Sequence, residues 1–198
     1  MTARSARSVS TFVAIVAAAL LLHACASSPK TQYVTLNISP GNALPVVQPM
    51  HPVQLTALHI PEALDRPEVV TQPAPNRFEI SETERWAAPL AQLMRLTLAR
   101  DLETRLPGGV LVFPESPVPD GTRVLVVTVI DIGVPADGEL TLQAEWALVS
   151  RSPVRTELAQ RATLRSPLTG AGAEAKAAAL SRALGKLADQ IASSLDGR

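Results

Sequence analysis

The residue with the clearest chemistry in this chain is Cys25, the only cysteine in 198 residues. It follows an uncharged apolar run, Phe12 to Leu22, and precedes the polar Ser27-Ser28-Pro29-Lys30. With no second cysteine there is no internal disulfide to form, even in an oxidising compartment. Elsewhere the residues that could do chemistry are scattered. His51 lies in a Pro-flanked loop and His59 on an expected strand, and neither has Asp, Glu or Cys neighbours at metal-ligand spacing. There is no Gly-x-Ser-x-Gly, no Gly-x-Gly-x-x-Gly and no phosphate-cradling glycine loop. Asp131 sits on an otherwise apolar segment, where it could be a carboxylate of raised pKa. The simpler reading is a strand-end Asp bonded to the adjacent turn. Trp86 and Trp146 both fall on inward-looking faces, which favours core packing over ligand stacking. No catalytic set, metal set or cofactor motif emerges, so neither an enzyme nor a cofactor is expected.

The surroundings of Cys25 give it a role. Arg4 and Arg7 form a short basic region ahead of the apolar run. Its 11 residues, Phe12 to Leu22, are too few to span a bilayer. A transmembrane helix needs ~20, so the run reads as the core of a signal peptide. Leu22 three residues before the cysteine and Ala24 just before it resemble the lipobox of bacterial lipoproteins. That resemblance implies diacylglycerol on the Cys25 sulfur, cleavage before it, and palmitate-type acylation of the new amine. One acyl chain anchors marginally at ~0.8 kcal/mol per buried methylene, whereas three hold almost irreversibly. Ala26 stands where an Asp would resemble an inner-membrane retention signal, so an outer-membrane anchor with the domain facing the periplasm is expected. Loss of residues 1–24 leaves 174 residues and, with Arg4 and Arg7 gone, shifts the formal charge from 0 to −2. Such a domain lacks the basic footprint of a nucleic-acid binder. The organisation expected is a signal peptide at 1–24, a lipidated leash at 25–31 and one domain at 32–198.

The elements of that domain follow from pattern. Aromatics make up only 3%, so Val, Leu, Ile and Ala must fill the core. Gln32 to Ile38 alternates as a first strand. Pro40, Pro45, Pro49 and Pro52 then forbid regular structure, leaving an extended crossing segment. Val53 to Ile60 reads as a strand with Val53, Leu55, Ala57 and His59 on one face. Glu68–Gln72 and Arg77–Ile80 suggest a hairpin with a four-residue loop. Ser81-Glu82-Thr83-Glu84 matches a capping box, predicting a helix to about Leu106 that either bends at Pro89 or has its regular part begin there. Leu90, Met94, Leu98, Leu102 and Leu106 form its apolar row, broadened by Leu93 and Leu96. Val110–Phe113 is a short strand. Thr122–Gly133, apolar on both faces, is central, and Glu139–Val149 alternates strictly, with one face wet. Pro135-Ala136-Asp137-Gly138 joins those two long strands. Val154–Leu164 is a charged edge strand. A final helix, Gly172–Leu195, carries Ala177, Leu180, Leu184, Leu187, Ala188, Ile191 and Leu195 on one stripe. The sum is an α+β fold: a mostly antiparallel mixed sheet with two long helices packed on one face.

Several short motifs keep a recognisable order: Tyr33-Val34-Thr35-Leu36, Pro61-Glu62-Ala63-Leu64-Asp65-Arg66, Val69-Val70-Thr71, Arg85-Trp86-Ala87-Ala88-Pro89-Leu90 and Leu142-Gln143-Ala144-Glu145-Trp146. Together with the lipobox, this order resembles the PqiC-type lipoproteins, the ABC-type transport auxiliary family, over nearly the whole mature chain. The resemblance implies a non-enzymatic outer-membrane accessory of an MCE-domain lipid transport system. Such an accessory docks the periplasmic conduit, assembles as a homo-oligomeric ring and supports membrane integrity. It also implies that Pro61, Leu64, Asp65, Arg66, Arg85, Trp86, Pro89, Leu90 and Trp146 set the fold around a sheet–helix junction or touch the partner. A different binding class remains open: a lipoprotein that activates or assembles another envelope machine, such as a peptidoglycan synthase or a lipopolysaccharide exporter.

Overall fold

The computed structural model describes residues 30–43, 50–74, 76–133 and 138–196. Cys25, the signal segment, most of the leash and the Pro135-Ala136-Asp137 turn lie outside the described residues. Residues Gln32–Arg198 form one compact unit. In chain order its elements are β1 (Gln32–Val34), β2 (Val53–His59), β3 (Glu68–Ala74), β4 (Arg77–Trp86), α1 (Leu90–Glu103), β5 (Leu111–Val112), β6 (Arg123–Gly133), β7 (Glu139–Arg151), β8 (Val154–Pro167) and α2 (Gly172–Asp196).

The α+β class expected from the pattern stands, with the strands divided between two sheets. Five strands run β5-β2-β6-β7-β8 and three run β1-β4-β3. The long β6–β7 and β7–β8 ladders are antiparallel, as is β3–β4, while β2 lies parallel to both its neighbours and β1 parallel to β4. The parallel β2–β5 pair requires a crossover, and α1 lies within it. One face of the larger sheet supplies the core. On β7, Leu140, Leu142, Ala144, Trp146 and Leu148 are buried, and the intervening Glu139, Thr141, Gln143 and Glu145 stay half exposed. Leu125, Val127 and Val129 continue that buried face on β6. The two helices close over it. Leu180, Leu184, Leu187, Ile191 and Leu195 of α2 are each at most 2% exposed. Burial at that level contributes ~1.5–3 kcal/mol per side chain before entropy is counted.

Five local expectations need correction. The strand at residue 32 ends at Val34, because the chain then leaves β4 and bonds the helices instead. In β2 a register shift between Leu55 and Ala57 breaks the alternation, so Leu58 turns inward and His59 outward. A bulge of this kind moves every later side chain to the other face. The β3–β4 hairpin is tighter than four residues, since Ala74 already pairs with Arg77 and Asn76 takes the left-handed φ of 63°. Leu96 of α1 stays 37% exposed, outside the buried row. The largest difference lies at Ser81–Glu84, which belongs to β4 and starts no helix. The Glu84 N–H does donate to Ser81 Oγ at 3.0 Å, but it does so inside a strand irregularity. Beyond it β4 gains β1 as a second neighbour while Arg85 still pairs with Glu68 of β3. The helix begins at Leu90, with Pro89 in N-cap geometry at φ −49° and ψ 132°. Proline suits the start of a helix, where its missing N–H has no intrahelical role.

Candidate functional site

The two motifs flanking β3 and β4 fold onto each other. Pro61–Arg66 forms a tight turn in which Leu64 N–H donates to Pro61 O at 2.9 Å and Asp65 N–H to Glu62 O at 3.2 Å. That turn aims Asp65 at the start of α1, whose own N-cap, Pro89, offers no side-chain acceptor. Asp65 Oδ1 accepts the Ala91 N–H at 3.3 Å, capping from 26 residues away. A carboxylate here also suits the positive end of the helix dipole. Arg66 and Arg85 both face Glu68, at 3.5 and 3.9 Å. Trp86 N–H donates to Pro67 O at 2.7 Å, and Ala87 N–H to Val34 O at 2.9 Å. Pro61, Leu64, Asp65, Arg66, Arg85, Trp86, Pro89 and Leu90 therefore meet at one junction of turn, sheet and helix. Trp146 stands apart, buried on β7, with Nε1 donating to Ser194 Oγ of α2 at 3.2 Å.

This junction walls an apolar cavity of about 50 Å³. Leu64, Trp86 and Leu90 come from the two motifs, and Val69 to Gln72 supply the edge of β3. Ile132 and Leu140 close it from the larger sheet, and Lys176 and Leu180 from α2. Thr71, Gln72 and Lys176 are its only polar side chains, and none forms a nucleophile–base pair. A lining of this kind suits an apolar group. Elsewhere His59 is exposed, and His51 lines a shallow recess with Arg123, Arg155 and Glu157. Asp131 is exposed at a register shift in β6, so it is not a buried acid; the turn that it was expected to bond lies outside the described residues. Among the described residues no group of three His, Cys, Asp or Glu could hold a metal ion.

A second construction was not foreseen from the sequence. The segment after β1 crosses both helices as a strap. Asn37 N–H donates to Ser181 Oγ at 3.1 Å, and Ser39 N–H to the carboxylate of Asp101 at 2.7 Å. Arg105 Nη1 donates to Ser39 O at 2.9 Å and to Asp101 O at 2.8 Å, while its Nε binds Asp189. Asp101 and Arg105 are 0% and 3% exposed. Burial, the largest influence, lifts the Asp101 pKa to about 6, against the pull of the Ser39 N–H and the Arg105 charge. The strap fits only because two glycines lack side chains. A Cβ on Gly41 would meet Arg105 at 2.6 Å, and one on Gly185 would meet Ser39 at 2.5 Å. The one sequence signal was the Asp101/Arg105 pair at helical i,i+4 spacing beside the apolar row.

Two helices close over the larger sheet, and the segment after β1 straps them. Residues 35–192 match the family described as ABC-type transport auxiliary lipoprotein component. The chain belongs to that family. It is 30% identical over 133 residues to the intermembrane transport lipoprotein PqiC of Escherichia coli (strain K12), covering 66% of this chain and 70% of that protein. The same figures hold for PqiC of Shigella flexneri. Among solved structures, a crystal structure of an uncharacterized protein superposes with a TM-score of 0.68 at 22% identity, covering 84% of this chain and 99% of that one. Protein XCC0632 from Xanthomonas campestris gives 0.66 at 18% identity, covering 85% and 97%. These two share the fold. Among the described residues no helix is long and apolar enough to cross a membrane.

Proposed function

We propose that this chain is an outer-membrane lipoprotein anchored through Cys25. It serves as a non-enzymatic accessory of an MCE-domain intermembrane lipid transport system. On this reading residues 1–24 are removed, residues 25–31 form the leash, and the domain from residue 32 docks the periplasmic end of the conduit as a ring, supporting membrane integrity. The observation that carries the reading is the position of the family match, which starts at residue 35, ten residues after the only cysteine. A folded part that begins this close behind the cysteine fits a domain held by a lipid at that position. The name of the 30% identical PqiC, an intermembrane transport lipoprotein, supports the same assignment. The motif residues Pro61, Leu64, Asp65, Arg66, Arg85, Trp86, Pro89 and Leu90 act mainly by building the junction, and Trp146 by fixing α2 to β7.

The test is crosslinking in intact cells, followed by fractionation. The wild-type chain should sediment with outer membrane and recover an MCE-domain protein. Cys25→Ser should leave the membrane and lose barrier function. Recovery of only a peptidoglycan synthase or lipopolysaccharide exporter, or a Cys25→Ser chain that still fractionates with membrane and supports the barrier, would overturn the proposal.

A further inference from the structure

The β3–β4 hairpin is an arm with two free edges. β3 is the outer strand of its sheet, and no backbone hydrogen bond joins Val69–Gln72 to any strand but β4 among the described residues. On the other side β1 covers β4 only at Glu84–Trp86, which leaves the edge of Arg77–Ile80 open. Open edges invite another strand, and proteins that keep them usually blunt or pair them. This arm does not blunt its edge with polar residues alone. Phe78 is 52% exposed and Ile80 46%, large apolar surface that nothing in the fold covers. Strand alternation puts Phe78 and Ile80 on one side, and the exposed acid Glu82 follows them where the ladder becomes irregular.

The opposite edge offers the complement. The apolar cavity opens along Val69–Gln72 and is walled by Trp86, Leu90 and Leu180. Half-buried Lys176 stands on its lining, with no carboxylate bonded to it among the described residues. Its size, about 50 Å³, suits the end of one or two side chains and not a lipid with two tails. We propose that this cavity receives the hairpin arm of a second copy of the chain. The open edge of β4 in one copy pairs with the free edge of β3 in the next. Phe78 and Ile80 enter the cavity, and Glu82 faces Lys176. The two surfaces differ, so the contact is head-to-tail and propagates around a ring. This contact rests on the ring reading proposed above, and it names the surfaces that build it.

The full lipidated protein, extracted in detergent, is weighed by native mass spectrometry beside four variants. These are Phe78→Ser, Ile80→Ser, Lys176→Glu and the exchanged pair Lys176→Glu with Glu82→Lys. The expected result is a multi-copy assembly in the wild type that falls to single copies in the first three and re-forms in the exchanged pair. Unchanged melting curves for the exposed Phe78 and Ile80 variants would show that the fold survives. A wild type that weighs as one copy overturns both this contact and the ring, while the MCE crosslink remains a separate test of docking. An assembly that ignores all four variants overturns this contact alone. A photocrosslinker at Gln72 should reach Phe78 or Ile80 of another copy; capture of lipid or of a different protein there also overturns it.

Discussion

Asp101 is the most confined carboxylate in the strap, and its titration gives a test with a worked sign. It is fully buried on α1, one oxygen accepts the Ser39 N–H at 2.7 Å, and the other has no partner. Burial raises its pKa from 3.8 to about 6. Between those values the folded protein holds a proton that the unfolded chain has released. Stability therefore falls as pH rises: the contribution of Asp101 is full below pH 3.8 and is lost as pH passes through about 6. At 1.36 kcal/mol per pH unit the gap corresponds to about 3 kcal/mol. For a domain of this size that is on the order of 6–12 °C in melting temperature. Asp101→Asn keeps an acceptor for Ser39 and carries no charge. The assay is thermal unfolding by circular dichroism between pH 4 and 7.5 for both proteins. The variant should melt higher at pH 7, and the difference should shrink toward zero near pH 4. A difference that stays flat across this range would refute the account of Asp101.

Three further outcomes follow from the same contacts. Asp65→Ala removes the remote cap of α1 and should lower stability by ~0.5–2 kcal/mol in denaturant titration, with Asp65→Asn losing less. Gly185→Ala puts a methyl where Ser39 lies 2.5 Å away, and the crowding should destabilise by ~1–3 kcal/mol, loosening the strap in hydrogen exchange at Asn37 and Ser39. Trp146→Ala opens a cavity between β7 and α2 and frees Ser194 Oγ, for a loss of ~3–5 kcal/mol, whereas Trp146→Phe should lose much less.

Where one face of an element is dry and the other wet, the sequence carried its position plainly. Glu139–Val149 alternated without a break because β7 has helices on one side and solvent on the other. α2 was legible for the same reason, its stripe running unbroken from Ala177 to Leu195 with nothing local to contradict it. Ser81–Glu84 misled because a capping box is defined by a local hydrogen bond, and that bond forms here too, within a strand. Glu84 goes further and spends its carboxylate on the wrong helix for the motif, accepting the Ala173 N–H at the start of α2 at 2.9 Å. Pairings between distant residues left no local trace. β1 lies parallel to a strand some fifty positions on, and that pairing adds the third strand to the smaller sheet. Of the junction, the motif order drew attention to Asp65 and Trp86 among others. It could not say that one caps a helix and the other walls a cavity. The strap left little trace, since its backbone donors and acceptors have no side-chain signature; the Asp101/Arg105 spacing hints at it, and Gly41 and Gly185 mark the close approach.

The route by which the chain enters the domain has a mechanical consequence. Tension applied at the N-terminal end of the domain reaches β1 first, then the bonds from Asn37 and Ser39 to both helices. Force arriving that way is shared among several bonds and the buried Leu36 that lies between them. The end of the domain is therefore fastened to both helices as well as to a strand.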